Sequence, residues 1–164
     1  MGVGLHTGWL MLGVIGDEDR HDTGVISDAV NTAARVEGLT KMYGASIVLS
    51  EDCLLGIPDV ESYGHRFLGR VRVKGRAKAL AVYEFYDGEP AEIVALKQQT
   101  KDLLAEALED YFARRFPEAA VSLKKVLQAF PDDKTARRYL ENAARYMVEG
   151  FDDDWSGVEK MMEK

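Results

Sequence analysis

Apolar and polar positions repeat with two different periods along this chain, and the change of period divides it. Val3-Gly4-Leu5-His6-Thr7-Gly8 and Trp9-Leu10-Met11-Leu12-Gly13-Val14-Ile15-Gly16 predict two strands, with Thr7-Gly8 as a hairpin turn between them. Asp17-Glu18-Asp19-Arg20 predicts a solvated loop. A helix follows from a Ser27 or Asp28 cap to about Tyr43, where Gly44 supplies the stop. Ser46-Ile47-Val48-Leu49 predicts a short buried strand, and Ser50-Glu51-Asp52 a short helix broken by Gly56 and Pro58. Arg66 to Val73 and Leu80 to Tyr86 predict two more strands, joined around Gly75. Beyond the turn cluster Asp87-Gly88-Glu89-Pro90 the period is helical only, over Ile93 to Ala113, Pro117 to Phe130 and Lys134 to Glu149.

This pattern predicts an α+β segment over 1–88, with a mostly antiparallel sheet, followed by an all-helical tail over 89–164. From Thr100 to Asp133 the spacing resembles one tetratricopeptide repeat, with Tyr111, Phe116, Ala119, Leu123 and Pro131 near its patterned positions. A single repeat cannot bury its own apolar face, so the tail is expected to pack on something else.

Composition narrows the class. A chain of 164 residues that is 46% hydrophobic and 30% charged is that of a soluble globular protein. No apolar run approaches the roughly 18 residues that span a bilayer, so no membrane contact is expected. Met1-Gly2-Val3-Gly4-Leu5 has no basic stretch before an apolar core, so no signal peptide is expected. The single cysteine, Cys53, excludes an internal disulfide, reads as a small packing residue, and fits a reducing cytoplasm. A net charge of -7 argues against nucleic-acid binding. An RNA-binding ferredoxin-like domain is excluded further, because its paired exposed aromatics and glycine pattern are absent.

Candidate chemistry sits in two stretches. Gly24-Val25-Ile26-Ser27-Asp28-Ala29-Val30-Asn31-Thr32-Ala33-Ala34-Arg35 sets Asn31 and Arg35 four apart, on one face of the predicted helix. Val30, Ala33, Ala34 and Leu39 fall largely on its other faces. An arginine so placed stabilises negative charge and an asparagine orients an oxygen beside it, which points to a phosphate ester. In Arg66-Phe67-Leu68-Gly69-Arg70-Val71-Arg72-Val73-Lys74-Gly75-Arg76-Ala77-Lys78, alternation puts Arg70, Arg72 and Lys74 on one strand face and Val71 and Val73 on the other. Lys74, beside a tight glycine turn, can reach a phosphate tail as a point charge. His6, His21 and His65 lack metal-ligand spacing and read as structural or surface residues.

The ordered runs Gly-Leu-His-Thr-Gly, Gly-Val-Ile-Gly, Ile-Ser-Asp-Ala-Val-Asn-Thr-Ala-Ala-Arg and Leu-Gly-Arg-Val-Arg-Val-Lys-Gly resemble the C-terminal half of class III adenylate/guanylate cyclase catalytic domains. The resemblance covers nearly all of residues 2–87, and the tail looks like those of some bacterial members. It implies a partial ferredoxin-like cyclase fold and conversion of ATP or GTP to a 3′,5′-cyclic nucleotide and pyrophosphate. By that resemblance Asn31 and Arg35 bind ribose and triphosphate and stabilise the transition state, and Lys74 holds the terminal phosphates. Two metal ions, Mg or Mn, would serve the reaction.

Three departures qualify what the resemblance implies. The family's two metal-binding aspartates lie upstream of Gly2, and Asp17, Asp19 and Asp22 stand in the wrong motif to replace them. The strand bearing the purine-contacting lysine is also missing. The purine-selecting position, seven before Asn31, is Gly24 with Thr23 beside it, so ATP and GTP stay open. The family builds its site between two subunits, and this chain carries one subunit's share. It is therefore expected to make no cyclic nucleotide alone, and to pair with another copy or with the rest of its own catalytic domain. The alternative is a catalytically inactive module that binds a protein partner through its helical tail.

Overall fold

The computed structural model describes residues 1–17, 20–26, 28–72, 79–152 and 155–160; residues 12–17, 20–26, 159 and 160 are described by their backbone. Strands β1 (Val3–Leu5), β2 (Met11–Asp17) and β3 (Arg20–Ile26) come first, followed by helix α1 (Asp28–Tyr43). Strand β4 (Ile47–Ser50), helix α2 (Glu51–Leu54), and strands β5 (His65–Arg72) and β6 (Leu80–Phe85) complete the α+β portion. Helices α3 (Ala91–Phe112), α4 (Phe116–Ala129) and α5 (Lys134–Glu149) follow, and a short strand β7 (Glu159–Lys160) comes last.

The main sheet runs β1-β4-β6-β5-β7. β4–β6 and β5–β6 are antiparallel, whereas β1–β4 and β5–β7 are parallel. The expected hairpin through Thr7-Gly8 is not formed. β1 pairs instead with β4, Val3 opposite Ile47, and β2 turns back on β3 as a separate antiparallel ribbon with Gly13 opposite Gly24. Asp17 and Arg20, the ends of the expected loop, pair at the far end of that ribbon, and Glu18 and Asp19 lie outside the described residues. The reason is local: His6 and Ser50 are joined by a hydrogen bond of 2.8 Å, which ties the end of β1 to the cap of α2 and away from β2.

α1 lies on β1 and β4 through Ala29, Thr32, Val36, Leu39 and Tyr43, an i, i+3, i+7 stripe. Asp28 in its first turn and Lys41 in its last complement the helix dipole. Gly44 closes it with φ +67, a backbone conformation suited to glycine. The helix approaches the strand so closely that a Cβ on Gly4 would stand 2.2 Å from the Glu37 nitrogen and 2.6 Å from the Ala33 oxygen. Those are backbone atoms and cannot step aside. Gly4→Val is accordingly expected to push α1 off β1 and cost about 2 kcal/mol or more, by overpacking. Equilibrium urea unfolding measures this, and a loss below a few tenths of a kcal/mol would contradict the packing described.

The helical tail does not stand apart from the sheet. One apolar cluster runs from Val36, Val48, Leu68 and Val82 into Leu104, Leu108, Tyr111, Leu123 and Tyr139. This is the support that a lone helical hairpin needs. The Tyr139 hydroxyl donates to the Leu68 carbonyl at 2.9 Å, at a bulge in β5. Gly69 makes room for it: φ is +150, and a Cβ there would lie 2.0 Å from the tyrosine oxygen.

A charged network reinforces the same junction. Glu84, on β6, faces Arg66 across the β5–β6 ladder, and both are buried. Arg66 Nε donates to Glu84 Oε1, and Arg66 Nη1 donates to Asp133 Oδ2 at 2.6 Å. Lys97 of α3 donates to Glu84 at 2.8 Å and pairs with Glu89 at 2.8 Å. Asp133 also caps α5, accepting from the Ala136 N–H at 3.0 Å. Burial works against the charge on Arg66, but Glu84 and Asp133 outweigh it and raise its pKa above the ordinary value. Sheet, α3 and α5 are thus held by fully desolvated ion pairs.

Candidate active-site face

α1 arranges the first pair of candidate groups. Its buried stripe fixes the rotation of the helix about its axis, which leaves Asn31 exposed and Arg35 half-buried. Being one turn apart, they share a face. Val30 and Ala34, expected to turn away, are exposed as well, because the buried stripe runs through Ala29 and Thr32 instead. Ala33 is half-buried and Leu39 is in the core. The Thr32 hydroxyl bonds back to the Asp28 carbonyl at 2.8 Å, so the first turn is closed internally.

Thr23 and Gly24 lie in β3, opposite Val14 and Gly13. β3 ends at Ile26 and α1 begins at Asp28, so the strand that carries these two positions feeds directly into the helix that carries Asn31 and Arg35. Ser27 and Lys74 lie outside the described residues. Arg70 and Arg72 are exposed and Val71 between them is buried, as the alternation requires. Arg70 has a further contact, its guanidinium lying 5.3 Å from the ring centre of Phe112.

His6 and His65 have structural roles. His6 bonds Ser50, and His65 bonds the Tyr63 carbonyl at 2.9 Å while meeting Phe85 edge-on. The side chain of His21 is outside the description. Cys53 is half-buried on α2, in keeping with a packing role. Among the described residues, no group of three or more His, Cys, Asp or Glu side chains could hold a metal ion. The described residues therefore do not fit the implied metal pair.

A cleft of about 580 Å³ opens between β5, β6 and α3, lined by Phe67, Arg70, Tyr83, Leu108 and Phe112 with Glu51 at one side. It holds none of Asn31, Arg35, Thr23 or Gly24. Burial, and after it the carboxylate of Glu51, raises the pKa of the Tyr83 phenol, which keeps it protonated.

Residues 1–86, about half the chain, match the family described as the adenylate and guanylate cyclase catalytic domain. This chain belongs to that family. An adenylate cyclase of Anabaena cylindrica is 41% identical over 85 residues, covering 51% of this chain and 17% of that protein. The terminal-differentiation-specific adenylate cyclase of Dictyostelium discoideum is 29% identical over 141 residues, covering 85% of this chain and 7% of its own length. That second match is too long to stop at residue 86, so it takes in part of the helical tail. A solved bacterial light-regulated adenylyl cyclase is 25% identical, with a TM-score of 0.46, over 60% of this cyclase-family chain and 28% of that one. The chain thus spans a minor part of the relatives it matches. Among the described residues, no helix is long and apolar enough to cross a membrane.

Proposed function

We propose that this chain supplies one subunit's share of a composite nucleotidyl cyclase site, converting a nucleoside triphosphate to a 3′,5′-cyclic nucleotide and pyrophosphate. The observation that carries the reading is the face of α1. Within a stretch that matches the cyclase family, the helix sets exposed Asn31 and half-buried Arg35 on one face while its buried stripe is locked onto β1 and β4. An amide and a guanidinium on one helix face suit a substrate brought by a second surface. The Arg35 guanidinium would stabilise charge developing on the α-phosphate, Asn31 would orient the ribose oxygen, and Lys74 would hold the terminal phosphates. Thr23 and Gly24, entering the same helix, would stand at the purine; Gly24 has no side chain with which to choose between adenine and guanine.

The second surface that completes the site would be the rest of its own catalytic domain, which would bring the metal carboxylates; another copy of the chain would pair with it without completing the site. Support comes from the sheet and from apolar exposure. β1 ends the sheet, and among the described residues nothing pairs its outer edge. Trp9 is 98% and Met11 77% exposed close by in sequence, and Val30 beside Asn31 is 47% exposed. The metal carboxylates of the family are, on this reading, contributed from outside the described residues.

The purified 164-residue chain, given ATP or GTP with Mn²⁺, is expected to form no cyclic nucleotide. Chromatographic detection of product over hours checks this. Sustained turnover by the chain alone would show that the site is not divided as proposed.

A further inference from the structure

Three glycines near the start of the chain follow α1 from its last turns back to its first. A Cβ on Gly2 would run into the Thr40 side chain, and one on Gly4 would stand 2.6 Å from the Ala33 oxygen. One on Gly8 would stand 2.9 Å from the Ala29 Cβ, in the first turn of the helix. Gly4 is held in the β1–β4 ladder, whereas Gly8 lies past the end of β1, in the loop that leads to β2 and outside both ladders. His6 ties that loop down. Its Nδ1 lies 2.8 Å from Ser50 Oγ, which also accepts from the Cys53 N–H at 3.3 Å. Its other ring nitrogen faces Gly8, 3.5 Å from where a Cβ would stand. Ser50 is the last residue of β4 and sits opposite Val82 of β6, so it is fixed in the sheet. Contacts therefore pass from the sheet through Ser50, His6 and Gly8 to Ala29, close before Asn31. The rest of α1 is anchored differently. Val36, Leu39 and Tyr43 stand in the main apolar cluster, while Ala29 is buried outside it.

We propose that the loop between β1 and β2 sets the position of the first turn of α1 and so aims Asn31 and Arg35 at the substrate, with His6 and Gly8 as positioning residues. The inference rests on the reading of Asn31 and Arg35 given above. Its mechanical part follows from the packing. The end of α1 is locked by the core, so the freedom left to its first turn is a small tilt about Val36. Gly8 presses on that turn at Ala29 with its backbone, which is close because no Cβ intervenes. His6 keeps the backbone there by joining the loop to the cap of α2. A tilt of the first turn would move Asn31 with it and change its placement relative to Arg35, one turn further on. A transition state held by two groups on one helix face is sensitive to such a displacement.

Gly8→Ala tests the contact, and adding Ala29→Gly gives the space back. In amide NMR spectra of the 164-residue chain, Gly8→Ala is expected to shift the signals of residues 28–35, and the double variant to return them. Turnover is read in a mixture with a family cyclase that keeps its metal aspartates and lacks its own helix-motif arginine. There Gly8→Ala is expected to lower kcat about ten-fold, with a smaller change in KM, and the double variant to recover most of the loss. His6→Ala is expected to act like Gly8→Ala, and His6→Asn, whose amide can still bond Ser50, to keep most of the wild-type kcat. Unshifted signals in Gly8→Ala, or shifts that the double variant does not reverse, overturn the contact. A His6→Asn variant no better than His6→Ala removes the part given to His6. If the signals shift and kcat holds while Arg35→Ala loses turnover, the positioning role falls and the reading of Asn31 and Arg35 stands. If Arg35→Ala turns over like the wild type, or the wild-type mixture makes no product, that reading falls and takes the positioning role with it.

Discussion

Arg66→Met is expected to cost about 3–5 kcal/mol of stability, the range seen when one partner of a buried ion pair is removed. Arg66 is 4% exposed and binds two carboxylates, Glu84 and Asp133, whose side chains are 1% and 0% exposed. Without it, among the described residues, Glu84 keeps its bond from Lys97 and Asp133 its capping bond to Ala136. Two carboxylates then stay buried around one cation, and neither can turn to water without opening the junction between sheet and tail. Lysine is expected to rescue little. Arg66 forks, sending Nε to one carboxylate and Nη1 to the other, and an ammonium on a flexible stem reproduces neither direction. Replacing the charged set together by apolar residues is expected to recover much of the loss, because desolvation of the ions disappears with them. Denaturant unfolding of the single and combined variants checks this. A single variant within about 1 kcal/mol of the wild type, the ordinary value for an exposed pair, would contradict a desolvated junction.

The network also shows what the sequence holds in plain sight and what it conceals. Helices were the most legible elements: α5 spans Lys134–Glu149, the predicted bounds, because cap, apolar stripe and closing glycine agree. α1 was equally plain, from the cap region at 27–28 to Gly44. Glu84 could have been found by phase. It follows Leu80 and Val82 at alternate positions of one strand, where every other residue is buried. Lys97 likewise leads Thr100, Leu104, Leu108 and Tyr111 along the buried stripe of α3. A charged residue in an apolar phase implies a buried partner, but its identity comes only with the fold. Arg66 and Asp133 are 67 residues apart.

The strands were harder to read for a related reason. β1 is only three residues long, and its partner β4 lies on the far side of α1. Nothing in the local pattern distinguishes that parallel pairing from a hairpin with β2. β2 was read as a strand, but β3 was obscured by its own composition, since Asp22 and Gly24 interrupt the alternation that marks a strand. β7, two residues long, carries no signal of its own. Of the candidate site, the Asn31–Arg35 face was legible because helical spacing alone decides it, whereas Lys74 was marked by motif and lies outside the described residues.

Arg35→Ala is expected to have the largest functional effect, a loss of about 10²–10³-fold in turnover by the assembled site, as for removal of one preorganised donor to a charged transition state. Asn31→Ala is expected to lower turnover as well, through lost orientation of the ribose oxygen. Neither change is expected to unfold the chain. Asn31 is exposed and Arg35 half-buried on a helix held by Thr32, Val36, Leu39 and Tyr43 on its other side. Thermal unfolding of each variant separates the two effects, since a merely structural arginine would lose stability together with activity. Turnover in Arg35→Ala equal to the wild type would remove this face from the site.

Complementation tests the division of the site most directly. The chain is mixed with Mn²⁺, ATP or GTP, and a cyclase of the family that retains its metal aspartates but has its own helix-motif arginine replaced by alanine. Cyclic nucleotide is expected from the mixture, from neither component alone, and not when the chain carries Arg35→Ala. Product formed by the chain alone, or undiminished product with Arg35→Ala in the mixture, would contradict the account.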